Sequence, residues 1–242
     1  MENYLTYEQI KSKCEKLSEE YEIDETHFFD IIYIILDSDI SVESKLIKSY
    51  QELLNKVNDE INTMEQFMDV RPSCAMGCAF CCYYPIIINH LEKKCMEESI
   101  RAMPESRQNK IKSHILSYKE KYKNELVELS NLDRDNEQFK NNYKKLNIPC
   151  VMLDTSTNSC LAYEIRPLPC RTYVNYANPA VCATSTMPKE PVSYEFLYSQ
   201  YMGALHELVS ELYEEDNLGF ARYPDDFYEE KMLFEWFASN HE

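Results

Sequence analysis

The chain has 242 residues, and its 25 basic against 42 acidic side chains leave a formal charge of −17. A surface that acidic repels phosphate backbones and anionic lipid, which argues against nucleic-acid and membrane partners. Only three glycines occur, Gly77, Gly203 and Gly219, so the glycine-rich cradles of dinucleotide and phosphate sites are absent, and ten cysteines stand out instead.

Residues 1–70 read as helical. Thr6 and Gln9 are spaced as a capping box at the first helix start. A second helix is expected over Thr26–Leu36. A long third helix starts after Ser41, with Leu46, Tyr50, Leu53, Val57, Ile61, Met64 and Met68 at steps of three and four that place one apolar stripe on one face.

Residues 71–88 change character. Pro72, four cysteines within nine positions and the run Pro85–Ile88 predict an irregular loop leading into a short strand or buried turn. Asn89 to Glu92 is a second capping box, opening a helix to about Met103 with His90 as a helix-start residue. Pro104 suits the first position of the next helix, whose face carries Ile111, Ile115, Tyr118, Tyr122, Leu126 and Leu129. Asn131–Lys145 reads as a loop or a weak, solvated helix.

Six of the ten prolines fall between Pro149 and Pro191, among four more cysteines. There Cys150–Asp154 and Cys160–Glu164 are placed to pair as a short hairpin. Beyond them, Tyr194, Leu197, Tyr201, Leu205, Leu208 and Leu212 mark an amphipathic helix, and Asp226–Ser239 a last one. From Pro191 onward twelve acidic residues face two basic ones, read as a solvated helical face. The expected architecture is mainly α: a helical, bundle-like body with two cysteine-rich irregular loops and at most a short β-hairpin. It divides into an N-terminal helical segment (1–70), a cysteine-cluster domain (71–190) and acidic C-terminal helices (191–242) packed on the same body.

The N-terminus MENYLTYEQI lacks the apolar run of a signal peptide, and the longest apolar run, Ile31–Leu36, is far short of the roughly 18 residues of a spanning helix. A cytoplasmic location is therefore expected. In a reducing compartment clustered thiols read as metal or redox sites rather than as disulfides. One module is Cys74-Ala-Met-Gly-Cys78-Ala-Phe-Cys81-Cys82; the other is Cys150, Cys160, Cys170 and Cys182. Gaps of two or three residues let consecutive thiolates curl around one ion, as in structural zinc sites and iron–sulfur loops. Gly77, just before Cys78, suits a turn with positive φ. Adjacent Cys81 and Cys82 point in different directions along an extended backbone, to serve two metals or to bind with one and pack with the other. Cys14 and Cys95, on helices without thiol neighbours, are read as ordinary packing residues. Arg166 and Arg171 bracket Cys170 and are positioned to offset thiolate charge from behind the ligands.

These residues carry a resemblance. The chain resembles the YkgJ-type cysteine-cluster family, a zinc- or iron-chelating domain, over about residues 74–182. The likeness lies in the cluster ending Cys81-Cys82, in Cys150-Val-Met-Leu-Asp, and in Cys160-Leu-Ala-Tyr-Glu-Ile-Arg-Pro-Leu-Pro-Cys170-Arg171. It departs from the family in its first gap, three residues instead of the usual two. The resemblance implies that the eight cysteines ligate metal, and it places Glu92 where the family often has a glutamate after its first cluster. More distantly, the cysteine module resembles that of flagellin lysine-N-methylases, which use S-adenosylmethionine. Cys74-x3-Cys78-x-Phe80-Cys81 also matches the radical-SAM spacing, in which three cysteines hold a [4Fe–4S] cluster, but the glycine-rich strands of that barrel do not follow.

The leading expectation is thus a cytoplasmic protein chelating zinc or iron, an iron–sulfur cluster included, through two modules brought together by the fold. Two alternatives stand beside it: an iron–sulfur-dependent protein methyltransferase using S-adenosylmethionine, and an acidic adaptor whose structural zinc site folds a loop for a basic protein partner. No catalytic residue is assigned. The five histidines are scattered, and His27 has no second histidine four residues away.

Overall fold

In the computed structural model, which describes residues 4–215 and 218–238, the expected capping box opens α1 (Tyr7–Glu20). The Thr6 hydroxyl accepts the Gln9 N–H at 3.3 Å, and the Gln9 side chain accepts the Thr6 N–H at 2.9 Å. α2 spans Thr26–Leu36 as expected. Ser41 caps α3 (Val42–Met68), and all seven residues of its predicted stripe are buried. Asp69, at φ 49°, ends it in the left-handed region.

The body is assembled around α3. The acidic C-terminal helix α10 (Leu197–Glu214) turns Leu197, Tyr201, Leu205, Leu208 and Leu212 inward and packs on both α2 and α3. On another side of α3 lies α4 (His90–Arg101), opened by the Asn89–Glu92 capping box. Pro104 is the residue just before α5 (Glu105–Lys121) rather than its first. The face predicted to continue to Leu129 is interrupted: Tyr122, at φ −110° and ψ 20°, separates α5 from α6 (Lys123–Ser130). Hydrogen bonds from Tyr122 N–H to Tyr118 and from Leu126 N–H to Tyr122 continue across that point, so the chain bends instead of unwinding. Part of the polar stretch before Lys145 does form a helix, α7 (Phe139–Lys145), held by buried Phe139 and Tyr143.

Strands are few and short. The expected hairpin forms between β2 (Leu153–Asp154) and β3 (Ser159–Cys160). Two other antiparallel pairs join distant segments: β1 (Ile87–Asn89) with β6 (Glu230–Met232), and β4 (Tyr173–Val174) with β5 (Val192–Ser193). The first of these corrects the expected last helix. Residues from Asp225 onward form α11 (Asp225–Tyr228), then β6, then α12 (Leu233–Ala238), and Ser239 lies outside the described residues. A tertiary partner overrides the helical pattern here: β6 pairs with β1, and the Trp236 indole N–H donates to the Ile88 carbonyl at 3.1 Å.

The acidic C-terminal segment is not solvated throughout. Asp226 is 1% exposed and receives Lys94 Nζ at 2.6 Å and the Arg222 N–H at 2.8 Å, with His90 Nδ1 at 2.9 Å. The Lys94 ammonium and the Arg222 N–H compensate a charge that would be costly to bury alone. Among the described residues no helix is long and apolar enough to cross a membrane.

Candidate metal centre

Both cysteine modules are built from irregular backbone held by a small number of hydrogen bonds. After α3, Gly77 at φ +92° makes the turn that lets the Cys78 N–H reach the Ala75 carbonyl at 2.9 Å. A 3-10 turn over Phe80–Tyr83 then carries Cys81 and Cys82. The second module is fastened to the first through backbone: the Cys150 N–H donates to the Cys82 carbonyl at 2.6 Å. The Tyr118 hydroxyl holds the preceding Pro149 carbonyl at 2.8 Å. The β2–β3 hairpin, with Leu153 opposite Cys160, returns Cys160 towards Cys150.

Cys170 lies in α8 (Pro169–Thr172), and Cys182 in α9 (Ala180–Thr184), which packs on the 3-10 turn. A third tie joins Ser73 to Asn175: the Ser73 N–H and hydroxyl both donate to the Asn175 carbonyl, and the Asn175 N–H donates to Cys74 Sγ at 3.4 Å.

Seven of the eight module cysteines, all but Cys182, line one cavity of about 1350 Å³. All ten cysteines of the chain are free thiols. Among the described residues no three His, Cys, Asp or Glu side chains converge as a closed metal shell, so the thiols face a shared space rather than a single point.

The electrostatics favour the protonated form of Cys74, Cys82, Cys150, Cys160, Cys170 and Cys182 in the absence of a cation. Burial pushes Cys150 up to about 12 and Cys182 up to about 11, with neighbouring thiols adding to both, and the same causes hold Cys170 well above an ordinary thiol. The Cys81–Cys82 pair shares a side-chain hydrogen bond, which eases proton loss from Cys81 and raises Cys82 strongly. A divalent ion reverses this logic, because a coordinated thiol is deprotonated outright.

Two half-buried cations prepare the site for such charge. Arg166 Nε and Lys144 Nζ are buried without a hydrogen-bond acceptor. The Arg166 guanidinium lies 4.4 Å from the Tyr163 ring centroid, and Lys144 Nζ lies 3.9 Å from that of Tyr84. Arg166 eases ionisation of Cys74, Cys81, Cys160 and Cys170, and Lys144 that of Cys81 and Cys182. Soft thiol donors beside unpartnered half-buried cations fit a zinc or iron–thiolate centre of net negative charge.

The other candidates fall in distinct places. Arg171 reaches the cavity wall but spends its donors on backbone, Nε to the Arg166 carbonyl at 2.8 Å and Nη2 to the Glu164 carbonyl at 2.7 Å, so it props the loop that presents Arg166. Glu92 is absent from the cavity wall; it is a buried capping residue that accepts the Asn89 N–H at 3.1 Å and the Tyr201 hydroxyl at 3.2 Å. Cys95 is buried in the core, and Cys14 packs half-buried against it. Lys144 and the Asn175 N–H escape sequence reasoning. Lys144 sits among Lys140 and Lys145 in a polar stretch, where nothing marks it as the half-buried one.

Fold and site together define a mainly helical protein carrying a cysteine-cluster domain. Residues 73–189 match the model of the CxxCxxCC family, described as a "putative zinc- or iron-chelating domain". The match spans both cysteine modules. No curated protein and no solved structure matched the chain.

Proposed function

We propose that the chain binds zinc or iron in the cytoplasm through Cys74, Cys78, Cys81, Cys82, Cys150, Cys160, Cys170 and Cys182. The observation that carries this reading is the pair of buried nitrogens without an acceptor, Lys144 Nζ and Arg166 Nε, on half-buried cations set among thiols from both modules. Thiolate sites take up metal by releasing protons, so affinity rises with pH while the thiols still compete for them. The acidic surface outside the centre suits a basic protein partner.

Lys144→Met tests the charge argument directly. It keeps the apolar stem against Tyr84 and removes only the cation. Zinc affinity, read by competition with a chromophoric chelator, is expected to fall about 10–100-fold, the usual effect of losing a group that supports metal ligands from behind. Unchanged affinity in the variant would count against the reading.

One observation favours a second reading. The cavity, about 1350 Å³, is larger than the roughly 300–1,000 Å³ of ordinary small-molecule sites and far exceeds the needs of metal ions. The remaining space suits an organic cosubstrate beside an iron–sulfur cluster, as methyl transfer from S-adenosylmethionine requires. Calorimetric titration of the iron-loaded protein with S-adenosylmethionine separates the two readings: heat of binding supports the second, and none leaves the first.

A further inference from the structure

We infer that the α3 wall of the cavity holds an organic cosubstrate by an α-amino-acid end, with Glu65 taking the ammonium and Asn58 and Asn62 the carboxylate. The inference rests on the second reading above and names the residues that would anchor the cosubstrate.

Asn58, Ile61, Asn62 and Glu65 all line the cavity that the thiols face. They stand three or four residues apart on α3, so the helix sets them one above another on a single face. Beside the stripe that packs the core, α3 thus turns two carboxamides and a carboxylate towards the same space as seven cysteines.

Glu65 is 8% exposed, and a carboxylate is seldom buried so far without a charged partner. Its Oε1 accepts the Tyr176 hydroxyl at 2.8 Å, and that hydroxyl lies 2.5 Å from the hydroxyl of Tyr194. Both tyrosines are buried and so fix the direction of the carboxyl. Glu60, on the same helix and 5% exposed, shows what is missing: it has a tyrosine, the Tyr21 hydroxyl at 2.6 Å, and also a cation, Lys56 Nζ at 3.0 Å. Among the described residues no cation pairs with Glu65. Nor, among those residues, does any hydrogen bond engage the side chain of half-buried Asn58 or exposed Asn62.

The three unspent groups match one ligand chemistry. A primary ammonium donates to the free Glu65 oxygen in a charge-assisted hydrogen bond. The Asn58 and Asn62 carboxamides each keep N–H donors that a carboxylate accepts, and no second anion is added to the wall at that point. An α-amino acid carries both groups on one carbon. A few convergent polar groups in a largely apolar cavity are what orient a small ligand.

The test is calorimetry on the full chain, reduced and metal-loaded, with two probes. S-adenosylhomocysteine and methylthioadenosine share nucleoside and thioether, and only the first has the amino-acid end. It is expected to bind about 10–100-fold more tightly, the scale of a hydrogen bond to a charged group. Glu65→Gln keeps an acceptor for Tyr176 and should remove most of that preference while leaving methylthioadenosine affinity and metal content unchanged. Asn62→Ala, at an exposed position, should narrow the preference in the same way and keeps the test open if Glu65→Gln fails to fold. Equal affinity of the two probes for the unaltered chain, or a preference that survives both substitutions, overturns the assignment to α3 and leaves the second reading standing. Binding of neither probe overturns that reading and the inference with it.

Discussion

Removing the metal with a chelator is expected to lower the unfolding free energy by about 4 kcal/mol relative to protein held at free metal of about 1,000 times Kd. The loss should be uneven. The cysteine modules are turns, two-residue strands and very short helices with little regular structure of their own. By contrast α3 and α10 share a core in which Leu53, Val57, Leu205 and Leu208 are fully buried. Hydrogen exchange in the metal-free protein should therefore accelerate across 73–84 and 150–184 while the amides of α3 and α10 keep their protection. Equal acceleration throughout, or no change in the modules, would show that metal does not organise them.

Glu92→Gln is expected to stabilise the protein at alkaline pH. Glu92 is 1% exposed, and burial lifts its carboxyl from 4.5 to about 7 against the opposing hydrogen bonds from Asn89 and Tyr201. Its folded value lies above its unfolded one. The folded protein therefore gains from holding this proton below about pH 4.5 and loses that advantage as pH rises through about 7. Glutamine retains the acceptor of the capping box without the charge. At pH 8 the variant should be more stable than the parent by about 3 kcal/mol, at roughly 1.4 kcal/mol per pKa unit, and the gap should close as pH falls towards 4.5. Urea titrations at the two ends of that range check it. Metal content should be unchanged, because Glu92 stands off the cavity wall. A variant that folds but loses metal would restore Glu92 to the role suggested by its place after the first cluster.

Local signals carried much of this structure. Thr6 with Gln9, Asn89 with Glu92 and the stripe from Leu46 to Met68 are decided by side chains a few residues apart, and those elements lie where the sequence places them. What was not legible depends on partners far along the chain. Nothing near Glu230–Met232 announces a strand, because its reason to extend is β1. The bend at Tyr122 has no proline or glycine to mark it. The cysteines were conspicuous as motifs, yet their spacing does not tell that the helix carrying Cys182 packs on the turn carrying Cys81 and Cys82. Lys144 is equally silent, because only the folded chain separates a half-buried lysine from its exposed neighbours.

Metal and acid-labile sulfide analysis, with absorbance, of the full chain purified without oxygen is the most direct measurement. Bound zinc without visible colour, or iron with sulfide and a broad band near about 400 nm, is the result expected of thiolate ligation. A folded chain that holds neither metal, and takes up neither when reduced and reloaded, would contradict it.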